Sequence, residues 1–286
     1  MSILKQFLVK AKHKESRIGI GLSNTKYHND KILYAIIKFL HENKSKIFLF
    51  GNKHSTDMIR NNSSYEKYEE HINLVETNNP TNKIFRYLND YKINAIIRGS
   101  LGSTEFLKNI SEMFKIKKIN RLALLETSGA YQFFLGGVGI DECNNLERKK
   151  DFISKALDEM EILGITPNVS ILSGGRRSDL GRDPRVDETI KEADELVTHF
   201  RDFNPDLEIS HDQILIEDAI EKKANLIIAP DGISGNLIYR TLVHLGNGKA
   251  HGAIYMGLRR VIIDTSRVGK LSEIYGGLVL ALALSS

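Results

Sequence analysis

The stretch LIIAPDGISGNLIYRTLVHLGNGKAHGAIYMGLRRVIIDTSR, residues 226–267, decides the fold class. It opens with an apolar run that stops at Pro230-Asp231-Gly232, and a helical pattern, NLIYRTLVHL, follows. A short apolar run between turn residues reads as a strand buried on both faces. AIYMGL and RVIID come next as strand-like runs, the second ending in Asp264-Thr265-Ser266-Arg267. Apolar strand, Gly/Ser turn and amphipathic helix, in repetition, indicate a largely parallel sheet with helices on both faces.

The same alternation extends back to the N-terminus. RIGIGLS (17–23), KIFLFGN (46–52), INLVE, NAIIRGS (94–100), LALLETS (122–128) and VSILSGG (169–175) read as strands. Helices are expected in NDKILYAIIKFLHENK, around 80–91, and in TEFLKNISEMF, ERKKDFISKALDEMEILGI and VDETIKEADELVTHF. Two more are expected at about Asp212–Lys223 and from about Leu271. Ile32, Ala35, Ile36, Phe39 and Leu40 share one helical face, as a core-facing stripe requires. Gly164 is placed to end its helix, and the Ser103-Thr104 and Ser234 hydroxyls are placed to cap theirs. SGAYQFFLGGVGIDECNN reads as a bent strand because of its glycines.

The chain has 286 residues, enough for one large domain or two ordinary ones. Hydrophobic residues make up 41% and charged residues 27%, so a globular protein is expected. One cysteine excludes an internal disulfide framework and a Cys-based metal cluster, and it suits the cytoplasm. The charged N-terminal run is too short for a signal peptide, and GGLVLALALSS covers about half of a ~20-residue membrane span. It reads as a buried helix. A net charge of +4 with dispersed Lys and Arg argues against nucleic acid and for an anionic small molecule.

The familiar cofactor motifs are missing. There is no G-x-x-x-x-G-K-[ST], GIG at 19–21 lacks its third glycine, and GVG at 137–139 does not join a strand to a helix. No H-E-x-x-H occurs, and no metal is expected. Cys143 follows Glu142 without a nearby cation, so it reads as a buried thiol rather than a nucleophile.

Four loops instead share one design, a strand ending in Gly/Ser before a helix. They are Arg98-Gly99-Ser100-Leu101-Gly102-Ser103-Thr104, Ser173-Gly174-Gly175-Arg176-Arg177-Ser178, Asp231-Gly232-Ile233-Ser234-Gly235-Asn236 and Asp264-Thr265-Ser266-Arg267. Any one of them is ordinary helix-entry chemistry. Together, with arginines in three, they suit an anion bound by helix N-termini and guanidinium forks. Arg176, Arg177, Arg182 and Arg185 alternate with Asp179, Asp183 and Asp187. That run reads either as a self-paired solvated loop or as a lid over an anionic ligand.

Pro230-Asp231, Ser234-Gly235-Asn236 and Asp264-Thr265-Ser266-Arg267, at these spacings, resemble the phosphate acetyltransferase and phosphate butyryltransferase family. LERKKDFISKALDEMEILGITPNVSILS (146–173) is similar to that family's central helix and strand. With SGGRRSDLGRD included, the pattern most resembles its methanogen branch called MtxX, a methanogenesis marker group described as methyltransferase-related.

The resemblance implies a two-lobed, three-layer α/β/α fold of the isocitrate/isopropylmalate dehydrogenase-like group. Residues 1–128 with 260–286 would form one lobe and 129–259 the other, with a cleft between them, in a homodimer. It also implies acyl transfer between phosphate and a thiol such as coenzyme A, with no further cofactor. Ser266 and Arg267 would contact the phosphate and the acyl group, and Glu273 would be the base. Arg98, Gly99, Ser100, Ser103, Thr104, Ser234, Gly235, Asn236, Arg176 and Arg177 are the expected ligand-binding residues. Three positions depart from the family: Val268 replaces a glycine, Glu273 an aspartate and Arg98 a small residue. The alternatives are a methyltransferase-related subunit, which no S-adenosylmethionine signature supports, and a non-catalytic phosphate-ligand-binding subunit. Glu273 by itself also reads as an exposed acid in a first helical turn.

Overall fold

The computed structural model describes residues 1–267 and 269–285. They divide into two units, one formed by residues 1–119 with the chain from 249 onward, the other by 120–248. The first unit begins with α1 (Ile3–Lys10), β1 (Arg17–Gly21), α2 (Lys26–Leu40), β2 (Lys46–Gly51) and α3 (Lys53–Arg60). It continues through β3 (Ile72–Glu76), α4 (Pro80–Asn89), β4 (Ala95–Ile97) and α5 (Ser103–Phe114). The second unit contains β5 (Arg121–Glu126), β6 (Gln132–Gly136), α6 (Leu146–Leu163), β7 (Asn168–Leu172) and α7 (Pro184–Phe203). β8 (Glu208–Gln213), α8 (Ile216–Glu221), β9 (Leu226–Ile228) and α9 (Gly232–Arg240) complete it. The chain then returns to the first unit as β10 (Lys249–Tyr255), β11 (Val261–Asp264) and α10 (Leu271–Leu284).

In the first unit the strands lie in the order β3-β2-β1-β4-β11-β10. All pair in parallel except β10, which runs antiparallel to β11. Ile96 and Ile262 face α4 and α5, where Ile84, Phe85, Leu88, Phe106 and Ile110 close over them. Ile97 and Ile263 face α10 instead. α10 is the apolar C-terminal run, and it buries Ile274, Leu278, Val279, Leu280 and Leu282 against β4, β10, β11 and α2. Each such side chain contributes about 1.5–3 kcal/mol over exposure, so the helix is a structural wall of this unit. No helix among the described residues is long and apolar enough to cross a membrane.

In the second unit the order is β5-β6-β9-β7-β8, parallel except for β5 against β6. Gly164 ends α6 in the left-handed conformation, φ 65°, where glycine bears no Cβ penalty. Tyr131-Gln132-Phe133-Phe134, an apolar run that by itself calls for cover from a partner, gets that cover inside the unit. Gln132, Phe133 and Phe134 are buried in β6, between β5 and β9.

The structure corrects several expectations. The helix expected at Asp212–Lys223 is the end of β8 followed by the short α8. β8 reads EISHDQ because it lies at the edge of its sheet, where polar side chains bond to one another and hide the apolar alternation. α3 was not foreseen, although Asn52 caps it by accepting from the Ser55 N–H at 2.9 Å. The units divide after 119 and 248, so β5 lies with the second unit and β10 with the first, unlike a division at 128 and 259.

Candidate functional site

β4 and β11 are neighbours in register, so the loops that leave their C-terminal ends lie side by side. The Arg98 N–H donates to the Ile263 carbonyl at 3.0 Å, and the Gly99 N–H donates to Thr265 Oγ1 at 3.1 Å. Gly99 has φ +60°, and a Cβ there would stand 2.4 Å from the Gly21 carbonyl oxygen. Gly99→Ala should therefore lower stability by about 1–3 kcal/mol. A denaturant midpoint equal to wild type would show that the loop adapts freely.

Arg98 is buried and turned inward. Its Nε lies 2.5 Å from Asp264 Oδ1, and its Nη1 donates to the Leu101 carbonyl at 3.0 Å. Burial disfavours the charge, but the Asp264 carboxylate outweighs it and raises the Arg98 pKa further. Arg98 thus ties the two loops together, and Ser100 is buried beside it.

Glu273 stands in the first turn of α10 yet is only 5% exposed, so the solvated reading of this acid does not hold. The Ser266 N–H donates to Glu273 Oε1 at 2.6 Å. Gly269 packs on the other oxygen so closely that a Cβ there would lie 1.8 Å from Oε2. Desolvation is the main cause that pushes the Glu273 carboxyl up to about 7, and Asp264 adds to it. The Ser266 N–H, Arg98 and Lys31 act in the opposite direction. Lys31, from α2, donates to the Gly269 carbonyl and so holds the same loop.

Arg267 is exposed and has no acid partner among the described residues. A Cβ placed on Gly102 would stand 3.5 Å from Arg267 Nη2, which puts the guanidinium at the start of α5. Gly102, not a hydroxyl, is the N-cap residue there, and no side chain caps the helix. Ser103 and Thr104 are instead exposed residues of the first turn, contrary to their expected capping role. Uncapped N–H groups beside an unpaired guanidinium favour an anion. Val268 lies outside the described residues.

The second unit uses its loops differently. Asp231, not Ser234, caps α9, accepting from the Ser234 N–H at 2.8 Å. A Cβ on Gly235 would lie 2.0 Å from the Gly137 carbonyl oxygen, and Asn236 Nδ2 donates to the Val138 carbonyl at 2.8 Å. Gly232, Gly235 and Asn236 therefore seat α9 on the Gly137–Gly139 loop, and Ser234 bonds to the capping Asp231.

Three of the loop arginines are paired: Arg177 with Asp194, Arg182 with Asp179 and Arg185 with Asp231. Exposed pairs of this kind contribute about 0–1 kcal/mol each. The Arg176 side chain is exposed, and its backbone N–H donates to Asp179 Oδ2 at 2.8 Å. Asp194 Oδ1 also lies 2.8 Å from His211 Nδ1, and His211 Nε2 lies 2.9 Å from Ser173 Oγ. These contacts follow the order of a nucleophile–base–acid relay. Ser173 is wholly buried, however, so its hydroxyl ties the loop to β8 and has no route to a substrate. Cys143 is also buried, and desolvation is the main cause that pushes its thiol well above the ordinary range.

Lys31 and His28 take part in the first-unit site without having been singled out in the sequence. Helical spacing sets Lys31 one turn after His28, but nothing local connects α2 with a loop near the far end of the chain. Only the sheet order β1-β4-β11 and the packing of α10 on α2 bring them together.

Residues 78–282 match the family described as Phosphate acetyl/butaryl transferase. A Methanosarcina mazei protein provisionally named methyltransferase mtx subunit X is 36% identical over 99% of this chain and 95% of its own length. The EutD phosphotransacetylase from Staphylococcus aureus shares the fold at TM-score 0.70 and 15% identity, covering 99% of this chain and 98% of that one. A branched-chain phosphotransacylase from Enterococcus faecalis V583 shares it at TM-score 0.68 and 16% identity, covering 94% and 99%.

Proposed function

The chain belongs to the Phosphate acetyl/butaryl transferase family, within the branch called methyltransferase mtx subunit X, and on that premise we propose that it transfers an acyl group between phosphate and a thiol such as coenzyme A. The observation that carries this reading is a buried carboxyl in the first turn of α10, raised to about 7 and bonded to the loop that bears an exposed arginine.

Glu273 takes the proton of the thiol, and the thiolate sulfur bonds to the carbonyl carbon of an acyl phosphate. The carbon–oxygen bond to phosphate then breaks, and phosphate leaves with the electron pair. A carboxylate near 7 is a far better base towards a thiol of pKa ~8.5 than one at the ordinary ~4.3. Arg267 and the free N–H groups of α5 stabilise the charge that gathers on the phosphoryl oxygens. The Ser266, Ser103 and Thr104 hydroxyls donate to the same oxygens. Arg98 keeps the two loops in register, and no cofactor beyond the two substrates is required. The test is coenzyme A-dependent loss of acetyl phosphate and of longer acyl phosphates. No turnover with any of them defeats the reading.

The name carried by the Methanosarcina relative supports a second reading, a methyltransferase-related or non-catalytic subunit that keeps the anion site. The inward bonding of Arg98 and the tight wrapping of Glu273 favour it. It is selected if wild type turns over no acyl phosphate while Arg267→Ala still abolishes anion binding.

A homodimer forms part of the proposal. Ile233 and Leu237 on α9 are 54% and 60% exposed, and Leu245 just beyond it 80%, an apolar face that a second copy would cover. Light scattering should give twice the chain mass, and a monomer at micromolar concentration removes this element.

A further inference from the structure

His28 stands in the first turn of α2, one turn before Lys31, which donates to the Gly269 carbonyl in the loop that follows β11. Its ring is partly exposed, but Nδ1 is shielded from solvent and has no hydrogen-bond partner. The charged groups that act on the ring are both cations: Lys31, one turn further along α2, and Arg267 beyond β11. The Tyr27 ring lies 5.7 Å from it, and α3 packs on the other side of the turn through Asn29 and Met58. The Glu273 charge acts on Lys31, and the Arg98 charge is met by Asp264. An imidazole, an ammonium and an exposed guanidinium therefore share this end of the unit, and among the described residues no carboxylate bonds to the imidazole Nδ1.

Such a group of donors wants a dianion. We propose that His28 is a binding residue of this site, and that it takes up a proton as a phosphate-like dianion enters. Without the anion, burial first and then the Lys31 and Arg267 charges lower the pKa of His28, so the ring is neutral near pH 7. A dianion between the cations reverses the field, the ring protonates, and both nitrogens become donors. This rests on the anion-site reading above, but it adds a residue and a linked proton that the acyl-transfer reading does not require.

Sulfate is the probe, because it does not titrate between pH 6 and 8. Its binding to the full chain is measured by calorimetry at low ionic strength, in buffers of different ionisation heat. Wild type should take up a fraction of a proton, and its affinity should fall as pH rises, by at most tenfold per pH unit. His28→Gln keeps a hydrogen-bonding side chain in a helix-compatible residue, and it should lose most of the uptake while still binding. Sulfate binding without uptake in wild type overturns the inference and leaves the anion site intact. Uptake that survives His28→Gln but disappears in Glu273→Gln assigns the proton to Glu273 and also overturns it. No sulfate binding in wild type defeats the anion site, and this inference with it.

Discussion

Arg267→Ala should lower coenzyme A-dependent turnover of acyl phosphates by a factor of about 10²–10³, the loss expected when one strong electrostatic contact to the transition state is removed. The size of the effect follows from the surroundings of this arginine. Arg98 is already committed to Asp264 and the Leu101 carbonyl, so it cannot substitute. Lys31 uses one of its N–H donors on the Gly269 carbonyl, and its ammonium lacks the planar fork that could replace Arg267. Arg267 is exposed, and its removal leaves the fold untouched, so the circular dichroism melt should stay at the wild-type temperature. Arg267→Lys should recover only part of the rate, because an ammonium does not supply the planar fork. A variant within threefold of wild type would remove Arg267 from the mechanism.

Glu273→Gln should remove turnover and leave sulfate or phosphate affinity nearly intact. Glutamine keeps an oxygen that can accept from the Ser266 N–H, so the loop keeps its shape and only the base is lost. In wild type, kcat should rise about tenfold per pH unit below about 7 and level off above it, as the carboxyl ionises. Stability should run the other way. The folded carboxyl binds its proton more tightly than the unfolded one, so stability falls as pH rises from about 4.5 to about 7 and is level outside that window. The whole effect is about 3 kcal/mol, at 1.36 kcal/mol per pKa unit. Glu273→Gln should flatten that slope, so its stability relative to wild type improves between pH 5 and pH 8. Turnover that survives the substitution would discard the base and spare the enzyme. An unchanged pH slope of stability would show that the carboxyl is not held near 7.

Much of this was legible because it is written in local patterns. Continuous apolar runs such as LIIA and AII identify buried parallel strands, since only a strand covered on both faces dispenses with alternation. The α6 stripe with Gly164 behind it is equally plain. Where side chains bond to one another instead of packing, the pattern is lost. β8 shows this, with Ser210, Asp212 and His211 satisfied by polar partners at a sheet edge. Caps were misplaced by a few residues for a related reason: Asp231 and Ser234 can both cap α9, and only the backbone path decides that Asp231 does.

From the sequence alone came the α/β class, the family, and the loops after β4 and β11 that carry Arg98, Ser266 and Arg267, because strand, turn and helix signals act over a few residues. The tertiary structure decided what those residues do. Two arginines of equal charge separate into one bonded inward and one left unpaired, and that depends on which strand neighbours which. Glu273 reads in sequence as an ordinary first-turn acid, and its raised pKa arises only because it is buried, with Ser266 and Gly269 packed on its two oxygens. His28 and Lys31 enter the site only because α2 packs on α10. Electrostatics and desolvation act through space, and the sequence lists residues without the distances that set them.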